Sequence, residues 1–238
     1  GQRCSALRLL CVHHAVAPGI ERMLAGAMQV LRLGRPEDWT TDIGPVIDVD
    51  AAERLQRWER TLESRAQQAQ QAHHGVQLLA RTPMPAGLAH DPRQALRPLH
   101  WVAPSAWRLP DVASLSAEHF GPILHVVHWG SGTSAPSFEV LVDQINAQGY
   151  GLTMGLHTRM DGRVDKLAQR ARVGNLYVNR GMTGAVVGSQ PFGGQGWSGT
   201  GPKAGGPWYL TRFTTEQVVS VNTTAAGGNA TLLASFIR

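Results

Sequence analysis

Three short stretches carry the residue types that could do chemistry. Cys4 stands in "GQRCSA", Glu118 in "EHFGPIL", and "GMTGAVVGSQPFGG" runs from Gly181 to Gly194. Cys4 has a glycine, an amide, a guanidinium and a hydroxyl around it, whereas a buried structural cysteine usually sits among aliphatic side chains. Two readings of that setting stand open: an incidental thiol, or a nucleophile. A free thiol with a pKa of ~8.5 is only a few per cent thiolate near neutrality. A nucleophilic Cys4 would therefore need cationic neighbours, amide dipoles or a base. Glu118 could equally cap a helix, and the glycine-rich run could be a surface loop.

Other patterns exclude whole classes of chemistry. Gly194–Gly199, "GQGWSG", fits G-x-G-x-x-G. That motif works only where a strand delivers the turn and a helix N-terminus receives the pyrophosphate. Pro202 and Pro207 follow and cannot open a regular helix, so it is not a dinucleotide fingerprint. The same stretch misses G-x-S-x-G around Ser198, because residue 200 is Thr, and no serine-hydrolase elbow is present. The pairs His13/His14 and His73/His74 have no metal-ligand spacing, since adjacent side chains diverge on a strand or a helix. They read as surface histidines, and no metal is expected. Two cysteines in 238 residues argue against a disulfide scaffold and for a reducing, cytoplasmic compartment, where the sequons at Asn222 and Asn229 mean little. No run of 18 apolar residues predicts a membrane span, and the start does not read as a signal peptide. The net charge of +5 is scattered singly, without a Lys/Arg block. That argues against a nucleic-acid partner and suits an acidic metabolite or a dinucleotide.

The elements that must position these residues follow from periodicity. A composition of 42% hydrophobic and 16% charged residues is that of a folded globular chain. "ALRLLCV" predicts a buried strand with Cys11 inert among aliphatics. "GIERMLAGAMQVLRLG" predicts a helix with Ile20, Met23, Leu24, Ala27, Met28 and Leu31 on one face, stopped by Gly34. Residues 50–75 predict a long helix with Leu55, Trp58, Leu62, Ala66 and Ala69 on one stripe and Gly75 as its stop. "VQLLA" and "LHWVAPSAW" read as strands around an irregular stretch from 82 to 98. Strand "GPILHVVHW", helix "SFEVLVDQINAQ", strand "GLTMGLHT", helix "GRVDKLAQRAR" and strand "GNLYVNR" then alternate. That alternation predicts an α/β fold, an open twisted sheet with crossover helices. Residues 181–207 predict loop, and "EQVVSVN" a final strand before a small-residue tail.

In this order and at these separations, the segments resemble the C-terminal half of the aldehyde dehydrogenase superfamily. "GQRC" is similar to its catalytic-cysteine motif and "EHFGP" to its cofactor-ribose motif. "NAQGYGLTMGLHT" and "GNLYVNR" resemble its late helix and strands. "QPFGGQGWSGTGPKAGGP" and the tail narrow the resemblance to the L-glutamate γ-semialdehyde (pyrroline-5-carboxylate) dehydrogenases, above all the C-terminal dehydrogenase portion of the bifunctional proline utilization A enzymes. The resemblance implies a cysteine nucleophile at Cys4, with its backbone N–H as one oxyanion donor. It implies that Glu118 holds the nicotinamide ribose of NAD while Phe120 packs beside the ring. The substrate's α-carboxylate would be met by Gly184 and Ala185, assisted by Ser5, since a glycine-rich loop turns backbone N–H groups outward without Cβ obstruction. Phe192 would line the aliphatic part of the substrate.

The resemblance also sets expectations about what surrounds these residues. In the family the dinucleotide-binding domain, the general-base glutamate and the side-chain oxyanion asparagine precede the nucleophile, and only three residues precede Cys4. The expectation is a catalytic domain over residues 1–213, followed by a strand and tail over 214–238 for oligomerisation or interdomain packing. The cofactor domain would be absent, the parent enzyme a homo-oligomer, and the isolated chain inactive. Trp197 stands where the family commonly has a leucine. The alternative is a non-catalytic dehydrogenase-like module kept for assembly or as a lid, and retention of all three segments together argues against it.

Overall fold

The computed structural model describes residues 1–69, 75–89, 100–130 and 135–222, with residue 225 and residues 234–235. Its centre is a four-stranded sheet in the order β1-β4-β3-β2. Strands β1 (Leu9–His13), β3 (Ser105–Leu109) and β4 (Ile123–Trp129) run parallel, and β2 (Gln77–Arg81) closes one edge antiparallel to β3. Because successive side chains alternate across a strand, the near-continuous apolar run of β4 is buried from both sides. Ile123 and Val127 join one apolar cluster, and Val126 joins another.

Each cluster has its helix. Helix α2 (Val49–Ala69) buries Leu55, Trp58 and Leu62 against Trp107, Leu109, Ile123 and Val127. Asp48 caps it, its carboxylate accepting from the Ala51 N–H at 2.7 Å. On the opposite face, helix α1 (Ala17–Val30) buries Ala17 and Met28, with Leu24 half-buried, against Val12, Ala80, Ala106 and Val126. Two helical layers thus clamp one sheet, and the sheet sets where the chain on either side of it emerges.

The rest is smaller. After a short helix α3 (Ala86–Ala89), helix α4 (Phe138–Ala147) packs Leu141 into the α2 cluster. Strand β5 (Tyr150–Gly151) pairs antiparallel with β8 (Gln195–Gly196), and β6 (Thr153–Leu156) pairs parallel with β7 (Asn175–Val178) around helix α5 (Asp161–Arg170). The open α/β sheet predicted from sequence therefore divides: β4 lies in the central sheet, while β6 and β7 form a pair of their own.

Several expectations need correction. Helix α1 ends at Val30, ahead of Gly34, and Ile20 and Met23 on its predicted inner face are exposed. The apolar stripe is wider than the face the sheet can cover. Of "LHWVAPSAW" only Ser105–Trp107 is strand, the start of β3, because Pro104 has no N–H to continue the ladder; His100 makes just an isolated bridge to Val46. "EQVVSVN" joins no ladder and is exposed, with Val218, Val219 and Val221 uncovered. The His13/His14 pair is half-buried rather than on the surface: the His13 ring packs edge-on to Trp129 at 4.7 Å. His73/His74, Asn229, residues 90–98 and most of the tail lie outside the described residues. No helix among those described is long and apolar enough to cross a membrane.

Candidate active site

Cys4 sits in a tight turn just before β1, closed by the Ala6 N–H donating to the Arg3 carbonyl at 3.1 Å. The turn sends its two central side chains different ways: Cys4 is exposed, and Ser5 is buried to 5% exposure. Cys11, two residues into β1, is half-buried among the apolar side chains of the α2 cluster. Burial pushes its thiol up to about 12, so it stays protonated and inert, as its aliphatic setting predicts.

The short stretch from Gln2 to Arg8 reaches both of the other predicted segments. Ser5 Oγ accepts a hydrogen bond from the Gly184 N–H at 3.1 Å. Arg8 forms an ion pair with Glu118, and its guanidinium lies 4.6 Å from the centroid of the Phe120 ring. Gln2 accepts from the Ile47 N–H at 2.8 Å and donates to the Phe120 carbonyl at 3.5 Å. Glu118, Phe120 and Gly184 are thus each tied to the stretch that carries Cys4, from which more than a hundred residues separate them in the chain. Glu118 caps no helix.

Phe192 is held differently. It exchanges two backbone hydrogen bonds with Ala204, each 3.0 Å. The Asn175 side chain grips both flanking residues, donating to the Pro191 carbonyl at 3.0 Å and accepting from the Gly193 N–H at 3.3 Å. The β7 strand that bears Asn175 also bears Tyr177, whose hydroxyl donates to the Gly184 carbonyl at 2.6 Å. Gly184 has φ +73°, a conformation that strains any L side chain. Ala185 is half-buried beside it, and its N–H donates to nothing among the described residues.

Beneath Glu118 lies a histidine pair that the sequence did not single out. The Trp58 indole N–H donates to His125 Nε2 at 2.9 Å. An indole nitrogen can only donate, so Nε2 accepts and the ring proton sits on Nδ1, 3.0 Å from the Arg8 carbonyl. His119 stacks flat on Trp58, 3.8 Å between centroids. Burial pulls both histidines down to about 4, so both are neutral at physiological pH. An open cleft of about 400 Å³ adjoins them, lined among others by Arg54, Arg57, Trp58, Glu118, His119 and Phe120. A larger cleft of about 580 Å³ holds His13, Trp129, Arg163 and Lys166 and none of the predicted site residues. It lies at the far end of β1 from Cys4, so size is a poor guide to the chemistry here. Among the described residues no group of three or more His, Cys, Asp or Glu could hold a metal ion.

Sequence reading missed Arg8, Trp58, His125, Asn175 and Tyr177. Trp58 stood out only as one of an apolar stripe, and Asn175 and Tyr177 only as part of "GNLYVNR"; the role of each is found once the fold brings its partner into reach. The G-x-G-x-x-G run at Gly194–Gly199 contains β8 and the turn that follows it, not a strand-to-helix corner.

Comparison with known proteins bears on this arrangement. Residues 1–219 match the sequence model described as "Aldehyde dehydrogenase family". The chain is 48% identical over 213 residues to "Bifunctional protein PutA" of Escherichia coli (strain K12), covering 90% of this chain and 15% of that protein. It is 31% identical to "1-pyrroline-5-carboxylate dehydrogenase" of Bacillus subtilis (strain 168), covering 88% of this chain and 36% of the other. Among solved structures, that of a "bifunctional proline utilization A (PutA) protein" superposes with a TM-score of 0.77 and 45% identity, over 95% of this chain and 20% of that one.

Proposed function

The chain belongs to the aldehyde dehydrogenase family, and from that premise we propose that it is the catalytic portion of an enzyme oxidising L-glutamate γ-semialdehyde to L-glutamate, a step in proline catabolism. The observation that carries this reading is the Ser5–Gly184 hydrogen bond, which sets the glycine-rich loop beside the Cys4 turn. The aldehyde end of such a substrate needs a nucleophile, and its other end needs donors for an α-carboxylate. Those two chemistries meet here within adjacent residues.

In this reading Cys4 Sγ attacks the aldehyde carbon. The oxygen gains negative charge as the bond forms, and the Cys4 backbone N–H is one donor to it; such a donor is worth about 3–4 kcal/mol. Loss of hydride leaves the acyl group on Cys4 as a thioester, which water releases as the acid. When bound, NAD supplies the hydride acceptor. Glu118 and Phe120 fit its ribose end: a partly exposed carboxylate accepts from a diol, and the Arg8 ion pair fixes its place on the cleft rim. Ser5, Gly184 and Ala185 take the substrate carboxylate, and Phe192 lines the aliphatic stem.

The chain spans about 15% of the PutA relatives' length and about 36% of the B. subtilis dehydrogenase, so turnover is a property proposed for the natural chain that carries these residues. Residues 1–213 form its catalytic unit and 214–238 a segment that packs on a neighbour. Val16 at the N-cap of α1, with Ile20, Met23 and Val30 on the helix, is exposed at helix-seam spacing, which suits a homo-oligomer. The cysteine usage suits the cytoplasm.

The test is NADH formation from NAD and L-glutamate γ-semialdehyde. The natural chain is expected to turn over and Cys4→Ser to abolish it; the 238 residues alone are expected to be silent. Turnover surviving Cys4→Ser would overturn the assignment of Cys4 as nucleophile, and a natural chain without turnover would favour the non-catalytic module.

A further inference from the structure

Two hydrogen bonds converge on Gly184 from opposite directions. Its N–H donates to Ser5 Oγ at 3.1 Å, and its C=O accepts from the Tyr177 hydroxyl at 2.6 Å. Tyr177 is buried to 5% exposure on β7, with the Arg180 guanidinium 5.0 Å from its ring centroid. Ser5 is equally buried. The loop is thus tied to the sheet by a phenol and to the nucleophile turn by a hydroxyl.

The two bonds decide which groups are left to meet a ligand. The Gly184 N–H, bonded to Ser5 Oγ, keeps the loop and the hydroxyl side by side for one carboxylate. The Gly184 carbonyl and the Ala185 N–H belong to one planar trans peptide and point in opposite directions. Holding the carbonyl on Tyr177 therefore aims the Ala185 N–H away from the sheet, where it has no partner among the described residues. A hydrogen bond at the carbonyl also polarises the same peptide and strengthens its N–H as a donor. Ser5, with a lone pair engaged by Gly184, keeps its own proton to donate elsewhere.

We infer that Tyr177 is a specificity-positioning residue: through the Gly184–Ala185 peptide it sets the Ala185 N–H and the Ser5 hydroxyl as the donors that recognise the carboxylate of an amino-acid aldehyde. This rests on the substrate reading proposed above. It concerns the carboxylate end alone and leaves the reaction at Cys4 to other groups.

Tyr177→Phe removes one hydroxyl and keeps the ring. The measurement is kcat and KM of the natural chain on three aldehydes of equal carbon number: L-glutamate γ-semialdehyde, 5-oxopentanoate, which keeps the carboxylate but lacks the amine, and pentanal, which lacks both. The expected result is a fall of about tenfold in the preference for each carboxylated aldehyde over pentanal, the scale of one lost hydrogen bond to a charged group. That fall should sit in KM more than in kcat. Equal losses on all three aldehydes would mean that the hydroxyl serves the fold only, and would overturn the assignment, as would an unchanged preference. A wild-type protein with no preference for carboxylated aldehydes would instead sink the substrate reading itself, so the two failures are separable.

Discussion

The sheet half and the glycine-rich half of this molecule are held together by different physics. In the first, from β1 to β4, burial does the work: Leu62, Trp107, Leu109, Val112, Ile123, Val126 and Val127 are all at 2% exposure or less. In the second, beyond α4, the buried apolar side chains among the described residues are few, Leu167 and Tyr177 chief among them, and Trp197, Trp208, Leu210 and Phe213 are exposed. Polar side chains bridge the backbone there instead. Asn146 joins the Arg170 carbonyl to the Arg172 N–H, Asn179 joins Thr158 on both sides, and Asn175 joins Pro191 to Gly193. Burial is strong and non-directional, whereas a hydrogen bond is worth about 1 kcal/mol net and fixes an angle. Stability is concentrated in the first half, and the orientation of the substrate loop in the second.

The largest effect that would break this comparison is expected in the first half. Leu62 is fully buried between α2 and the sheet. Leu62→Ala should cost about 2–5 kcal/mol from lost transfer and the cavity left behind. For a chain of this size that is a fall of roughly 10 °C in Tm, read by thermal unfolding. A fall of only a degree or two would mean that the sheet half is not the stability core.

A smaller effect sharpens the comparison by placing a titration in the first half. His119 and His125 are held near 4 in the folded chain, mainly by burial, against about 6.5 when unfolded. Between those values the unfolded chain binds more protons than the folded one, so stability must decline as pH falls. Above pH ~6.5 these groups contribute no slope, and from there down to about 4 their contribution is progressively lost. Carboxylates titrate at the lower end of that window, so the discriminating variant is His119→Phe. It keeps the stack on Trp58, removes the ionisable ring, and removes a buried Nε2 that has no hydrogen-bond partner. Its Tm should fall less steeply with acidification than that of the wild type. Identical slopes would show that the histidine pair does not sense pH.

The same contrast explains what could be read from sequence. Leu55, Trp58 and Leu62 announce α2 because burial requires a periodic apolar stripe, and the near-continuous apolar run of β4 has the same origin, burial on both faces. The residues of the second half carry no such period. Asn175 and Tyr177 matter because a carbonyl from a distant loop lies within reach, and no spacing encodes that. Glycine at 174 is legible only as a glycine; its reason is that a Cβ there would overlap the Gly193 carbonyl oxygen. The site itself was partly legible. Cys4, Glu118 and the loop stood out by residue type, but Arg8, which ties Glu118 to the Cys4 turn, looked like one more scattered charge. The predicted terminal strand at "EQVVSVN" has β-forming residues but pairs with no edge among the described residues.

The smallest effect tests whether the second half can loosen without the first. Asn175→Ala removes two hydrogen bonds that flank Phe192 while leaving the two Phe192–Ala204 backbone bonds in place. Each lost bond is worth about 1 kcal/mol locally, and neither contributes to the α2 or α1 clusters. Hydrogen exchange should therefore speed up at the Gly193 amide, whose acceptor is gone, while amides of β4 keep their protection and Tm barely moves. Asn175→Asp refines the point, since its carboxylate still accepts from Gly193 but no longer donates to Pro191. Gly193 should stay protected in that variant. If Asn175→Ala instead lowered Tm as far as Leu62→Ala, the polar clamps would belong to the same cooperative unit as the sheet. The division of labour between burial and directional bonding would then be wrong.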